Sequence, residues 1–246
     1  MSITGKKILV TGATGGIGKE IAIHLSKVGA QVVVTARDKK RLGDLMIRLH
    51  GSGHEQYVCD FTNLEEIEPM ISYSAAISPF HGLVHSAGGG TIMPLRSLGS
   101  SILHQHMQVN FYAFIELVKQ ITKKKHMYEG GSIIAISSFA AENGEPGQTA
   151  YSAAKAAVDA SVRTLSFELA SKKIRINSIR PGMIQSDSTE NYERDMGQEK
   201  FEALVQKQLL GLGQPKDVAA LAAFLLSDES SFMTGRSVYL DGGRFL

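Results

Sequence analysis

The sequence predicts an α/β fold: a doubly wound parallel sheet of about seven strands with helices on both faces. Three observations carry this. Short Val- and Ile-rich runs recur along the chain, segments of helical period lie between them, and a glycine-rich turn joins the first strand to the first helix. The strand-like runs are 7–11, 31–35, 56–59, 82–85, 132–137, 175–179 and 237–240. They are largely non-alternating in polarity, so they read as strands covered on both faces, the habit of parallel sheets.

Between the first two strands, Ile17, Ile21, Leu25 and Val28 follow one another at spacings of four, four and three, which is a single helical face. A long helix is expected over 97–126 and an Ala-rich one over 149–171. Two stretches break the rhythm. Residues 137–148 carry Gly144, Pro146 and Gly147 and read as a loop at a strand end. Residues 183–213 follow Pro181-Gly182, are polar with a weakly helical middle, and read as a substrate lid. No internal repeat or Pro/Ser-rich linker divides the chain, so one domain over 1–246 is expected.

Composition narrows the function classes. The chain has 246 residues, 43% of them hydrophobic, with 26 basic against 24 acidic, so no charge bias points to nucleic acid or membrane. Its one cysteine, Cys59, allows no intrachain disulfide and fits a reducing compartment. No leader pattern opens the sequence and no run is long and apolar enough for a membrane span, so a cytoplasmic protein is expected. No Cys/His cluster has ligand spacing, and His104 and His106, two apart on a helix, face different directions; no metal is expected. The run Lys123-Lys-Lys125 complements a helix dipole and needs no nucleic acid.

Two motifs carry chemistry. The first strand runs into Thr11-Gly-Ala-Thr-Gly-Gly-Ile-Gly18. Glycines there permit a tight turn and close approach to a pyrophosphate, and the following helix supplies amide donors and a positive dipole end. The spacing is G-x-x-x-G-x-G rather than G-x-G-x-x-G. The second motif is Tyr151-Ser-Ala-Ala-Lys155, with Ser138 thirteen residues earlier. Residues four apart share a helix face, and a cation beside a phenol favours the phenolate, bringing proton transfer toward neutral pH. A serine hydroxyl can hold a substrate oxygen as its charge changes. Ser137 is a close rival to Ser138.

Together the glycine turn, Asn110 in Gln108-Val-Asn-Phe111, Ser138, Tyr151-x-x-x-Lys155, Pro181-Gly182 and Leu240-Asp241-Gly242-Gly243 resemble the short-chain dehydrogenase/reductase family. The similarity spans essentially the whole chain and is greatest to the 3-oxoacyl-carrier-protein reductase-like branch. The resemblance implies a single Rossmann-type domain and an oxidoreductase moving a hydride between nicotinamide and a carbonyl or secondary alcohol. It implies Asn110, Ser138, Tyr151 and Lys155 as catalytic residues: Tyr151 as proton donor or acceptor, Lys155 lowering the Tyr pKa and binding the nicotinamide ribose, Ser138 fixing the substrate oxygen, and Asn110 holding a relay water. The coenzyme cradle it implies is Gly12, Thr14, Gly15, Gly16, Ile17 and Gly18. Asp60 and Phe61, Ala87 and Gly88, and Pro181, Gly182 and Ile184 complete it with Tyr151 and Lys155.

At the end of the second strand the family's usual acidic position falls on Ala36, and Arg37 follows at the phosphate-binding position. An acidic group would bond the ribose 2′-OH of NAD, whereas arginine accommodates the 2′-phosphate of NADP. NADP(H) is therefore favoured over NAD(H); Asp38 competes, but reads better as the cap of a helix starting at Lys39. The chain departs from the family's Asn-Asn-Ala-Gly with His85-Ser86-Ala87-Gly88, where His85 reads as structural. The implied partners are a small-molecule or acyl-thioester carbonyl substrate and further copies of the chain, as a dimer or tetramer. The alternatives are an NAD-dependent dehydrogenase of a polar alcohol or sugar, and a non-catalytic dinucleotide-binding sensor or scaffold.

Overall fold

Strands β1 (Lys7–Thr11), β2 (Gln31–Ala36), β3 (Glu55–Val58), β4 (Phe80–His85), β5 (Met127–Ile136), β6 (Arg175–Pro181) and β7 (Ser237–Leu240) pair in parallel in the order β3-β2-β1-β4-β5-β6-β7. The computed structural model describes residues 3–244; the outer ends of the expected domain, residues 1–2 and 245–246, lie outside the described residues. Successive side chains of a strand point to opposite faces. In β1, Ile8 and Val10 accordingly enter one core and Leu9 the other.

The first core is closed by α1 (Gly16–Lys27) and α9 (Pro215–Leu226), which bury Ile21, Leu25, Val218 and Ala222. The second lies under α3 (Ile67–Ala75), α5 (Ala113–Ile121) and α6 (Thr149–Leu169), with Phe114, Leu117, Val158 and Val162 fully or almost fully buried. A helix α2 (Lys39–Met46) covers β2 and β3. Chain order reverses between β1 and β4, which opens a crevice at their carboxyl ends, the usual ligand position in such sheets.

Three local expectations are corrected. The segment expected at 56–59 does not have two covered faces: β3 is an edge strand, its residues alternate half-buried and exposed, and Val58 is 45% exposed. Strand β5 starts at Met127, earlier than expected, with a register shift against β4 between Phe80 and Gly82. The long helix expected over 97–126 runs instead as α4 (Ser100–Met107), a π-helical stretch Gln108–Tyr112 and α5, ending at Ile121. No glycine or proline marks that break; a π-stretch is set by packing, and such bulges gather at functional sites.

Residues 183–213, polar with a weakly helical middle in the sequence, hold two helices, α7 (Asp187–Met196) and α8 (Gln198–Val205). Ser186 caps α7, its hydroxyl accepting from Thr189 N at 3.3 Å. The pair is docked by a small third core in which Phe139, Met183 and Phe201 are buried. Polar sequence hid this, because only one narrow side of each short helix is apolar.

Candidate active site

One cleft at the carboxyl ends of the strands gathers every site residue the sequence pointed to: the glycine turn, Arg37, Asp60, Phe61, Ala87, Gly88, Asn110, Ser138, Tyr151, Lys155, Pro181, Gly182 and Ile184. Residues from eight separate segments meet there because parallel strands deliver their following loops to the same edge. At the first junction Gly12 has φ 62°, and a Cβ on it would lie 2.6 Å from Ala87 N. Only glycine lets the first turn and the segment after β4 touch backbone to backbone. That close contact leaves a side-chain-free floor on which a pyrophosphate can sit at the start of α1. The residues present thus fit a dinucleotide.

The adenine end of the cleft is charged and open. Asp38 caps α2, accepting from Arg41 N at 3.0 Å, as its position implied. Arg37 is exposed beside it. Arg41, which the sequence reading missed, donates through Nη2 to the Thr14 carbonyl at 2.8 Å and approaches Asp187 of α7 at 3.5 Å. Its place in the first turn of α2, on the side of the Asp38 cap, was the available signal. Phe61 is buried, so it offers the cleft mainly backbone, and Asp60 is held by its own turn, accepting from Thr62 N at 3.0 Å.

The other end is buried. Lys155 Nζ donates to the Ile136 carbonyl at 2.8 Å and lies 5.6 Å from the centre of the Tyr151 ring. The two Ser rivals separate cleanly. Ser137 turns its hydroxyl to the Lys155 carbonyl at 3.4 Å, while the Ser138 hydroxyl is hydrogen-bonded to Tyr151. Asn110 is 1% exposed; its amide donates to the carbonyls of Gly89 and His106 at 3.0 and 2.9 Å and accepts from Gly89 N at 3.2 Å. With that side chain fully engaged in bracing, any hold on a relay water falls to its backbone.

One electrostatic expectation is overturned. Lys155 was expected to lower the Tyr151 pKa, yet burial pushes the phenol up, opposed by the Ser138 hydrogen bond. Lys155 is itself buried, and that burial pulls its ammonium down to about 8, against the attraction of Asp159. Loss of solvation outweighs a cation that is directed at a carbonyl rather than at the phenol oxygen. Tyr151 is therefore a protonated acid near neutral pH.

His85 is 1% exposed and lies against Phe114, ring centres 5.5 Å apart. Thr11 Oγ1 accepts from the amides of Ser86 and Ala87 at 3.2 and 3.1 Å, so its own proton points to His85 Nδ1, 3.0 Å away. The ring proton then sits on Nε2, on the side of the Asn110 backbone. Burial, and after it Lys155, pull the ring's pKa down to about 3. His85 thus braces the segment carrying Ala87 and Gly88 from below, outside the cleft lining.

Gln148, Tyr192, Thr91 and His106 also line the cleft and were missed as site residues. Gln148 is three residues before Tyr151, on the same helix face, which was a readable signal. Tyr192 comes from α7, at a distance in sequence that no local pattern reveals. Among the described residues no group of three or more His, Cys, Asp or Glu gathers to hold a metal, and no helix is long and apolar enough to cross a membrane.

Comparison with known proteins agrees with this geometry. A family model described as enoyl-(acyl carrier protein) reductase matches residues 12–244. The 3-oxoacyl-[acyl-carrier-protein] reductase of Rickettsia felis is 34% identical over 247 residues, covering 100% of this chain and 99% of the relative. A dehydrogenase/reductase from Sinorhizobium meliloti superposes with TM-score 0.91 at 30% identity, covering 100% of this chain and 97% of the other. A 7α-hydroxysteroid dehydrogenase complexed with NADH and 7-oxo glycochenodeoxycholic acid has TM-score 0.89 at 30% identity, over 98% of this chain and 94% of the other.

Proposed function

The chain belongs to the short-chain dehydrogenase/reductase family, oxidoreductases that interconvert CH–OH and C=O with a nicotinamide dinucleotide, and from that premise we propose that it is an NADP(H)-dependent carbonyl reductase with Tyr151 as its acid. The observation that carries the reading is the convergence of the half-buried Tyr151 with the buried Ser138, Lys155 and Asn110 at one end of a cleft whose other end presents Arg37 and Arg41. When bound, the dinucleotide supplies the hydride. Ser138 and Tyr151 hold the carbonyl oxygen, and Tyr151 delivers the proton that the new alkoxide needs. A phenol kept protonated by burial suits the reductive direction. Lys155, positively charged below a pH of about 8, would favour the forming oxyanion from its place near the Tyr151 ring and would hold the ribose hydroxyls of a bound nicotinamide.

Arginine at the end of β2, with Ala36 where a carboxylate would repel phosphate, supports NADP(H) over NAD(H). A single domain and a homo-oligomer, dimer or tetramer, belong to the same reading; Phe167 on α6, 83% exposed, is apolar surface available to such a contact. Turnover decides the central assignment. Tyr151→Phe is expected to lower kcat for ketone reduction by roughly 10³-fold while NADPH still binds. Equal turnover by the variant sinks the mechanism. Binding of NADPH with no carbonyl turned over by the wild type favours the sensor alternative.

A further inference from the structure

The part of the cleft beside Tyr151 differs in chemistry from the rest. The charged side chains lining the cleft are Arg37, Asp38, Arg41, Asp60 and Lys155. The first four follow β2 and β3, on the far side of β1 from Ser138 and Tyr151, which follow β5. Three strand steps separate β2 from β5, about 14 Å at the usual inter-strand spacing. Lys155 is held by the Ile136 carbonyl at 2.8 Å, with its Nζ 5.6 Å from the centre of the Tyr151 ring. Apart from Lys155, the cation near this end is Arg244, which stacks on Phe139 at 4.2 Å and is already paired with Glu145 at 2.7 Å, so a carboxylate or phosphate of the substrate meets no uncommitted counter-charge among the described residues there.

It does offer two uncommitted neutral groups. Gln148 gives its amide nitrogen to the Tyr192 hydroxyl at 3.1 Å, and its Oε1 is buried without a partner. His106, 7% exposed, pairs through Nε2 with the Thr91 hydroxyl at 3.2 Å, and its Nδ1 is buried without a partner. Burial pulls the His106 pKa down, so this ring is neutral near pH 7. A buried polar atom left unpaired costs free energy that a ligand can recover by pairing it. The Gln148 oxygen needs a donor. His106 Nδ1 accepts or donates according to which way the Thr91 proton points, and a hydroxyl satisfies either state.

Building on the carbonyl-reductase reading above, we infer that the substrate is an uncharged carbonyl compound bearing a hydroxyl close to the reacting carbon, recognised by Gln148 and His106. A free keto acid or a phosphorylated ketone would bury an unpaired anion in this end of the cleft. A plain ketone would leave both polar groups unpaired. Specificity then follows from the asymmetry between a matched and an unmatched buried polar group.

The test uses the full-length enzyme with NADPH and three ketones of one carbon skeleton: butan-2-one, 3-hydroxybutan-2-one and 3-oxobutanoate. The hydroxyketone is expected to exceed the plain ketone in kcat/KM by about tenfold or more, with the keto acid slowest. In Gln148→Leu the ratio of hydroxyketone to plain ketone should collapse toward one, chiefly through KM. His106→Leu should reduce the same ratio, and NADPH affinity measured by binding shows whether either variant remains folded. A hydroxyketone no better than butan-2-one, a keto acid preferred, or an unchanged ratio in a folded Gln148→Leu overturns the inference while leaving Tyr151 chemistry standing. No turnover of any ketone, with NADPH bound, overturns both.

Discussion

The two ends of the cleft are built on opposite principles. The end proposed to hold the adenine ribose presents exposed arginines after β2, with Arg41 sharing itself between the Thr14 carbonyl and a solvent-exposed Asp187. At the chemical end, Ser138, Lys155 and Asn110 are buried, and hydrogen bonds to backbone hold Lys155 and Asn110. Exposed charges in high dielectric act weakly and independently, so they tune affinity. Buried groups act as a unit, because removing one leaves its neighbours unsatisfied. Coenzyme choice in this molecule is therefore adjustable, whereas the proton-transfer group is all or none.

Breaking the chemical end should give the largest effect. Lys155→Met is expected to cut kcat/KM by at least ~100-fold, measured as NADPH oxidation at ketone concentrations well below KM. Lys155→Arg sharpens the point. With its pKa pulled down to about 8, Lys155 loses charge as pH rises through that value, so the wild-type reduction rate should fall there. An arginine stays charged, and its profile should lack that limb. A wild-type rate flat through pH 9 contradicts the assignment.

His85 sits under the junction of the two ends and should give a smaller effect, on stability. Its ring titrates near 3 in the fold but at the ordinary 6.5 when unfolded. Between those values the unfolded chain binds a proton that the fold refuses, so stability falls as pH drops from 6.5 toward 3. From pH 7 to pH 5 the loss should be roughly 2 kcal/mol. Denaturant unfolding of His85→Asn across that range should lack this part of the slope; an identical slope assigns the acid sensitivity elsewhere. Smallest is the adenine end. Arg37→Ala should weaken NADPH by about tenfold, near 1.4 kcal/mol, with NADH changed little. Equal weakening of both coenzymes means that Arg37 does not read the 2′-phosphate.

Legibility followed the same division. The glycine turn, Asp38 as a cap, and Tyr151 with Lys155 on one helix face are local patterns, and each stands where the sequence put it. Ser138 over Ser137 was readable from spacing, and the structure separates them by the direction of each hydroxyl. Gln148 had a local signal that went unused. Tyr192 had none, because its helix lies in a polar segment whose apolar side becomes visible only when Phe139 docks on it.

By itself, the sequence determined the order of strands and helices, the glycine turn after β1 and the side chains that are proposed as catalytic. All of these depend on period, φ freedom and short spacing, which are properties of neighbouring residues. Tertiary structure alone decided that β3 is an edge, that the helix carrying Asn110 passes through a π-stretch, and that the helices after β6 dock through Phe139, Met183 and Phe201. It also reversed the expected direction for Tyr151. A pKa is set by solvent exclusion and by where a cation's hydrogen bonds point, and both arise only when distant segments close over the same buried site.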